Sequence, residues 1–98
     1  MKEVRVCELP LVEVTSDVGL NIRFKAKILE ILPYLEGSDF AQVLVDDEIE
    51  SFYVQVLVGE ESGFTLSELV ELKNQEVYFQ GYLMEQDKTR NVFACIEA

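Results

Sequence analysis

The sequence predicts a single all-β domain that contains one short helix. From residue 22 onward, apolar residues recur with a period of two far more often than with the 3.6-residue period of a helix. A helix-capping sequence interrupts this alternation once, between the third and fourth predicted strands. Apolar residues make up 49% of the 98 residues, which suffices for one hydrophobic core and leaves no room for a second.

The first predicted strand runs from Ile22 to Ile31. Its apolar residues share one face, and three cations share the other: Arg23, Lys25 and Lys27. A loop that contains Pro33 and Gly37 ends this strand, because proline removes a backbone donor and glycine allows unusual backbone angles. Residues 1–21 alternate only briefly, so we expect an N-terminal extension that closes one end of the domain.

The second and third predicted strands form a hairpin. They run from Phe40 to Asp46 and from Ser51 to Val58, and an acidic corner at residues 46–48 joins them. The acidic pairs at residues 46–47 and 60–61 lie in turns, where carboxylates are usually solvated, so we expect no metal site there.

The helix begins at a capping box. Thr65 precedes Glu68 by three residues, so each side chain can bond the backbone N–H of the other, and Phe64 and Leu69 are placed for a hydrophobic staple. Lys73 and Asn74 suit the end of a helix of about two turns.

The last two predicted strands follow the helix. The fourth, from Glu76 to Glu85, contains Gly81, which indicates a sharp bend or bulge of the kind that closes a barrel. A turn over residues 86–91 leads into the fifth strand, from Val92 to Ile96.

Composition excludes several classes of protein. The net charge of −11, with 8 basic and 19 acidic residues, excludes a uniform polycation that coats nucleic acid or anionic membrane. The chain has no histidine, the commonest general base and metal ligand, and its two cysteines, Cys7 and Cys95, are too far apart for a redox pair. With no membrane-length apolar run and no secretory signal, we expect an intracellular protein, cytoplasmic or nucleoid-associated, that is not an enzyme and has no cofactor or metal.

Three stretches of the chain resemble the single-stranded-DNA-binding domains of replication protein A, especially the archaeal ones. Residues 21–31 (NIRFKAKILEI) are similar to that family's first strand, residues 43–47 (VLVDD) to the end of its second, and residues 72–81 (LKNQEVYFQG) to its passage from helix to fourth strand. The order of elements fits the same fold, a five-stranded Greek-key OB-fold barrel with its helix between strands three and four. We therefore expect an OB-fold domain over residues 22–98 and an extension over residues 1–21.

The candidate binding site combines cations with aromatic rings. Five of the eight cations fall in the first strand and at the turn before the fifth, elements that flank the binding face of this fold: Arg23, Lys25, Lys27, Lys88 and Arg90. Three tyrosines face outward in the predicted strands: Tyr53, Tyr78 and Tyr82. We predict that the five cations contact phosphates, so that a plot of log affinity against log salt concentration has a slope near −3.5. We also predict that Tyr53 and one of the other two tyrosines stack bases.

Two functions remain open. The resemblance implies a module that binds single-stranded nucleic acid, DNA with RNA as the alternative, in replication, recombination or repair, with other OB-fold subunits as further candidate partners. Because no apolar run is long enough to span a membrane, we expect no membrane partner. The alternative is an acidic OB-fold subunit that mediates protein assembly without binding nucleic acid, with its cations a solvated strand face and its tyrosines packed against protein. A contiguous patch of Leu44, Leu57 and Met84 favours the second function, whereas cations and Tyr53 in one groove favour the first.

Overall fold

The computed structural model describes residues 1–15, 18–32, 39–59 and 64–97. A short 3₁₀ turn at Val6–Glu8 follows the first strand. In chain order the remaining elements are β1 (Lys2–Glu3), β2 (Leu20–Leu32), β3 (Phe40–Asp46), β4 (Ser51–Leu57), α1 (Leu66–Glu71), β5 (Glu76–Gln86) and β6 (Thr89–Ile96). The five predicted strands correspond to β2 through β6, with shifted ends for β2, β4, β5 and β6.

Strands β2 to β6 close into a barrel. The N-terminal part of β2 pairs antiparallel with β5, and its C-terminal part pairs antiparallel with β3. This long strand therefore connects the β3–β4 pair to the β5–β6 pair. β3–β4 and β5–β6 are antiparallel pairs, and β4 joins β6 in parallel at Gln55–Phe93 and Val56–Ala94. The predicted fold class, a five-stranded barrel with its helix between the third and fourth barrel strands, is confirmed.

The core forms from the inward positions of every barrel strand, as the period-two pattern predicts. Phe24 of β2 and Phe79 of β5 are cross-strand partners whose rings stack with centroids 5.1 Å apart. Leu69 of α1 is fully buried, so the helix adds its apolar side to the same core. The predicted capping box is present, with Thr65 Oγ1 accepting from the Glu68 N–H and Glu68 Oε1 accepting from the Thr65 N–H.

The N-terminal segment contributes to the barrel core. β1 pairs in parallel with Ile22 and Arg23 of β2, several residues before β2 begins to pair with β3, and Val6 and Leu9 are fully buried. A carboxylate secures this segment, because Asp47 accepts hydrogen bonds from the backbone N–H of Cys7 at 3.0 Å and from those of Ile49 and Glu50 at 2.9 Å.

Two local predictions need correction. The bulge suggested for Gly81 is absent, because the β5–β6 register runs through Gly81 without a shift, and a bulge lies instead in β2, between Ile28 and Glu30. Gly81 is needed for a different reason, since a Cβ there would overlap the backbone of Phe93 and lie 2.7 Å from the Ala94 Cα. The turn before β6 is also tighter than predicted: Gln86 pairs with Thr89, which leaves two loop residues.

Candidate nucleic-acid interface

Three aromatic rings lie on the outside of adjacent strands β4, β6 and β5. Tyr53, Phe93 and Tyr82, here called the aromatic face, are 46%, 36% and 50% exposed. Their chain neighbours Val54, Val92 and Leu83 are fully buried, so strand alternation directs the rings to the surface. Tyr82 and Phe93 are direct cross-strand partners, which places their side chains next to each other.

A cleft opens between β4 and β6 near the β5–β6 hairpin. It has a volume of about 340 Å³, and Tyr53, Arg90 and Asn91 line it. The two strands pair only at residues 55–56 of β4, so the cleft lies where their ends separate. A ring and a cation thus share one groove at this end of the aromatic face.

Arg90 is held firmly in that groove. Its guanidinium donates to Glu85 Oε2 at 2.8 Å and to the Leu9 carbonyl at 2.9 Å, and its side chain is 16% exposed. Lys88, in the hairpin loop two residues earlier, is exposed and makes no ion pair with the described residues. Asp87 and Lys88 both have positive φ, of 50° and 67°, as a two-residue type I′ hairpin requires.

The cations of β2 lie on a neighbouring surface with Tyr78. The Arg23 guanidinium donates to Glu97 at 2.6 Å and to Glu3 at 2.7 Å, and Lys25 pairs with Glu76 at 2.9 Å. Hydrogen bonds to Glu97 and Glu3 raise the pKa of Arg23 above its usual range, and the bond to Glu76 raises the pKa of Lys25. These two cations therefore already have carboxylate partners within the chain.

The structure divides the eight predicted site residues into two groups. Tyr53 and Arg90 share the hairpin-end cleft, with Lys88 in the adjoining loop and Tyr82 on the aromatic face. The other group lies on β2 and at the start of β5: Arg23, Lys25, Lys27 and Tyr78. In that group Lys25 is opposite Tyr78, and Lys27 is exposed and opposite both Asp46 and Glu76.

Phe93 is a member of the aromatic face that the sequence reasoning missed. The signal was present, because Val92, Ala94 and Ile96 are inward and alternation leaves Phe93 outward. The apolar candidates surround this face without forming one patch of their own. Leu44 pairs with Tyr53, whereas Leu57 and Met84 each line a separate cleft that Phe93 also lines.

Other site types find little support in the described part of the chain. No helix there is long and apolar enough to cross a membrane. No group of three or more metal-ligating side chains gathers among those residues. Both oxygens of Asp47 accept backbone hydrogen bonds, so this carboxylate belongs to the fold.

The barrel defines the class of protein as an OB-fold domain, and solved structures share that fold. A chain of a replication protein A heterotrimer bound to ssDNA matches with a TM-score of 0.53 and 17% identity, over 79% of this chain and 53% of that chain. A murine DNA-binding protein bound to double-stranded DNA matches with 0.64 and 12%, over 98% and 47%. The yeast telomere protein Cdc13 OB4 matches with 0.61 and 11%, over 95% and 85%.

The first and second of these proteins are much longer than the matched region, so the chain spans about half of each. No family model and no curated protein matches the sequence. At these identities the likeness establishes the fold.

Proposed function

We propose that the aromatic face binds single-stranded nucleic acid, DNA in preference to RNA, and holds it unpaired during replication, recombination or repair. The observation that carries the proposal is the set of exposed rings on three adjacent strands: Tyr82 and Phe93 are direct partners, and Tyr53 lies two residues before Gln55, the β4 partner of Phe93. Flat exposed rings on neighbouring strands suit unstacked bases, and each stacked base contributes roughly 1 to 3 kcal/mol. The fold is shared with a protein solved bound to ssDNA, which supports the same function, and with one bound to double-stranded DNA, which supports nucleic-acid binding in general.

Phosphate contacts come from the hairpin end of the face. Lys88 is exposed there without an ion-pair partner among the described residues, and Arg90 lines the cleft beside Tyr53. Arg23, Lys25 and Arg90 are all paired with carboxylates, so a phosphate would have to compete with Glu3, Glu97, Glu76 or Glu85 to reach them. We therefore expect stacking to outweigh charge neutralisation in the binding free energy.

A second function is favoured by the charge distribution. The chain carries a net charge of −11, and the ion pairs of Arg23, Lys25 and Arg90 reduce the local field that would attract a polyanion. Under this alternative the aromatic face would contact a protein subunit. Tyrosine and phenylalanine are also enriched in protein interfaces, so the rings alone suit either partner.

Oligonucleotide affinity measured at several salt concentrations distinguishes the two proposed functions. It also shows whether the cations of β2 contact phosphates in addition to those of the β5–β6 hairpin. Fluorescence anisotropy of a labelled oligo-dT of about 15 nucleotides, titrated at several salt concentrations, gives the slope of log affinity against log salt. Contacts from Lys88 and Arg90 alone predict a slope near −1.4, whereas all five predicted cations give about −3.5. An oligonucleotide that stays unbound at ~50 mM salt contradicts the proposal and leaves the protein-assembly function.

A matched pair of variants tests the rings themselves. Phe93→Ala should weaken oligonucleotide binding about tenfold, which corresponds to one lost base stack. Ile49→Ala is the control, because Ile49 is 61% exposed in the β3–β4 turn and lines none of the clefts beside the aromatic face. Equal affinities for the two variants would contradict stacking on this face.

A further inference from the structure

A second cleft, about 300 Å³ in volume, adjoins the aromatic face at the end away from the hairpin. Phe40, Leu57, Tyr82 and Phe93 form its apolar walls, and the rings of Phe40 and Phe93 meet edge to face with centroids 5.5 Å apart. This volume is at the lower end of the range for small-molecule sites. Its mostly apolar walls suit a flat ring.

Gly81 forms part of the floor. Because Gly81 has no side chain, β5 and β6 approach so closely that a Cβ would overlap the Phe93 backbone. Gly81 is buried between the exposed Gln80 and Tyr82, so it contributes only backbone atoms to the cleft.

The polar side chains in the cleft are two neutral amides and the thiol of Cys95. Asn21 of β2 and Gln80 of β5 both line it, and their side chains are diagonal neighbours because Asn21 pairs with Tyr82 and Arg23 with Gln80. Both residues are exposed, and neither amide has a hydrogen-bond partner among the described residues. No acidic or basic side chain lines the cleft.

We propose that this cleft is a pocket for one unpaired adenine base, an inference that rests on the proposed single-strand binding. An amide carries a donor and an acceptor side by side, which match N7 and N6 of adenine, whereas guanine is typically read by arginine or lysine and cytosine by a carboxylate. The base packs its ring against Phe93 while Gln80 or Asn21 bonds its edge. The pocket then gives the stacking surface a base preference.

Competition binding with labelled oligonucleotides tests the pocket. Starting from oligo-dT, one central thymine is replaced by adenine, cytosine or guanine, and the affinity of each is measured for the wild-type chain. The adenine oligonucleotide should bind about tenfold more tightly than oligo-dT, the size expected of one bidentate amide contact. Cytosine and guanine should give no such gain.

Two variants then locate the preference. Asn21→Ala with Gln80→Ala should abolish the adenine gain and leave oligo-dT affinity within about twofold, because the rings remain. Gln86→Ala, an exposed amide of the same strand outside the cleft, should keep the gain. Equal affinity of the wild type for all four oligonucleotides, or an adenine gain that survives the double variant, overturns the pocket while single-strand binding stands. Absence of binding to every oligonucleotide overturns both.

Discussion

Arg23 lies over the ring of Tyr78, with its guanidinium carbon 3.9 Å from the ring centroid. The same guanidinium bonds Glu3 on β1 and Glu97 just beyond β6, so one side chain links both ends of the described chain to the barrel. Tyr78 thus has a cation stacked on one surface of its ring, which distinguishes it from the rings of the aromatic face.

Replacing Arg23 should affect the fold more than binding. Arg23→Ala should lower the melting temperature, because it removes both carboxylate bonds and the stacked guanidinium. Arg23→Lys should restore only part of the loss, since an ammonium lacks the planar, forked geometry. Thermal unfolding followed by circular dichroism measures this, with Lys27→Ala as an exposed control that makes no ion pair within the described chain. Equal melting temperatures for Arg23→Ala and the control would contradict a stabilising cluster.

The protein should lose stability in acid, because protonation of Asp47 removes a stabilising carboxylate. Burial by itself would raise the pKa of Asp47, but hydrogen bonds from the N–H groups of Glu50, Cys7 and Ile49 outweigh it and hold the pKa well below its usual range. Because the unfolded value is higher, about 3.9, the stabilisation is complete above that value and is lost as pH falls through it towards the folded pKa.

Asp47→Ala should therefore reduce the free energy of unfolding by about 2 kcal/mol at neutral pH, because the part-buried N–H of Cys7 loses its acceptor, whereas those of Ile49 and Glu50 in the exposed turn can bond water. The variant should also lose less stability than the wild type between neutral pH and roughly pH 3. Urea unfolding at both pH values measures this, and Glu50→Ala serves as an exposed control from the same turn. Parallel pH profiles for wild type and Asp47→Ala would argue against the carboxylate's role.

Replacing Lys88 with glycine should raise the stability of the chain but remove one phosphate contact from oligonucleotide binding. Its left-handed backbone conformation costs a residue other than glycine about 1 kcal/mol, so Lys88→Gly should stabilise the chain by that amount. Both Lys88→Gly and Lys88→Ala should reduce the salt slope of oligonucleotide binding by about 0.7, since one phosphate contact is lost. Only the glycine variant should gain stability. An unchanged salt slope in both variants would exclude a phosphate contact from this residue.

Gly81→Ala should destabilise the barrel by at least about 2 kcal/mol. The added methyl meets the backbone of Phe93 and Ala94, which cannot move without disturbing the β5–β6 ladder. Denaturant unfolding measures the loss, with Gln80→Ala as the neighbouring control on the same strand. A stable Gly81→Ala chain would mean that the two strands can separate locally at little cost.

The sequence predicts much of the fold because its signals are local. Alternation locates the five barrel strands to within a few residues, and the Thr65–Glu68 box locates the start of α1, because each signal depends on neighbours in the chain. The predicted β5–β6 turn is longer than the observed one, because neither of its two loop residues, Asp87 and Lys88, is the glycine that usually marks a type I′ turn.

The candidate site was harder to predict from the sequence, because it depends on contacts between residues that are distant in the chain. The alternating cations of β2 suggest a binding face, but their carboxylate partners Glu3, Glu76 and Glu97 come from distant parts of the chain. The bonds from Cys7 to Asp47 and from Arg90 to Leu9 likewise join residues far apart in sequence. Phe93 is the exception, since the alternation of β6 alone would have placed it outside.

The most direct test of the central claim is an NMR titration of the ¹⁵N-labelled chain with an oligo-dT of about 15 nucleotides. We expect the largest amide shifts at outward positions of β4, β6 and β5, around Tyr53, Phe93 and Tyr82, with smaller shifts at the hairpin and little change near Arg23 and Tyr78. Shifts confined to the surface around Arg23, Lys25 and Tyr78, or no shifts at all, would contradict binding by the aromatic face.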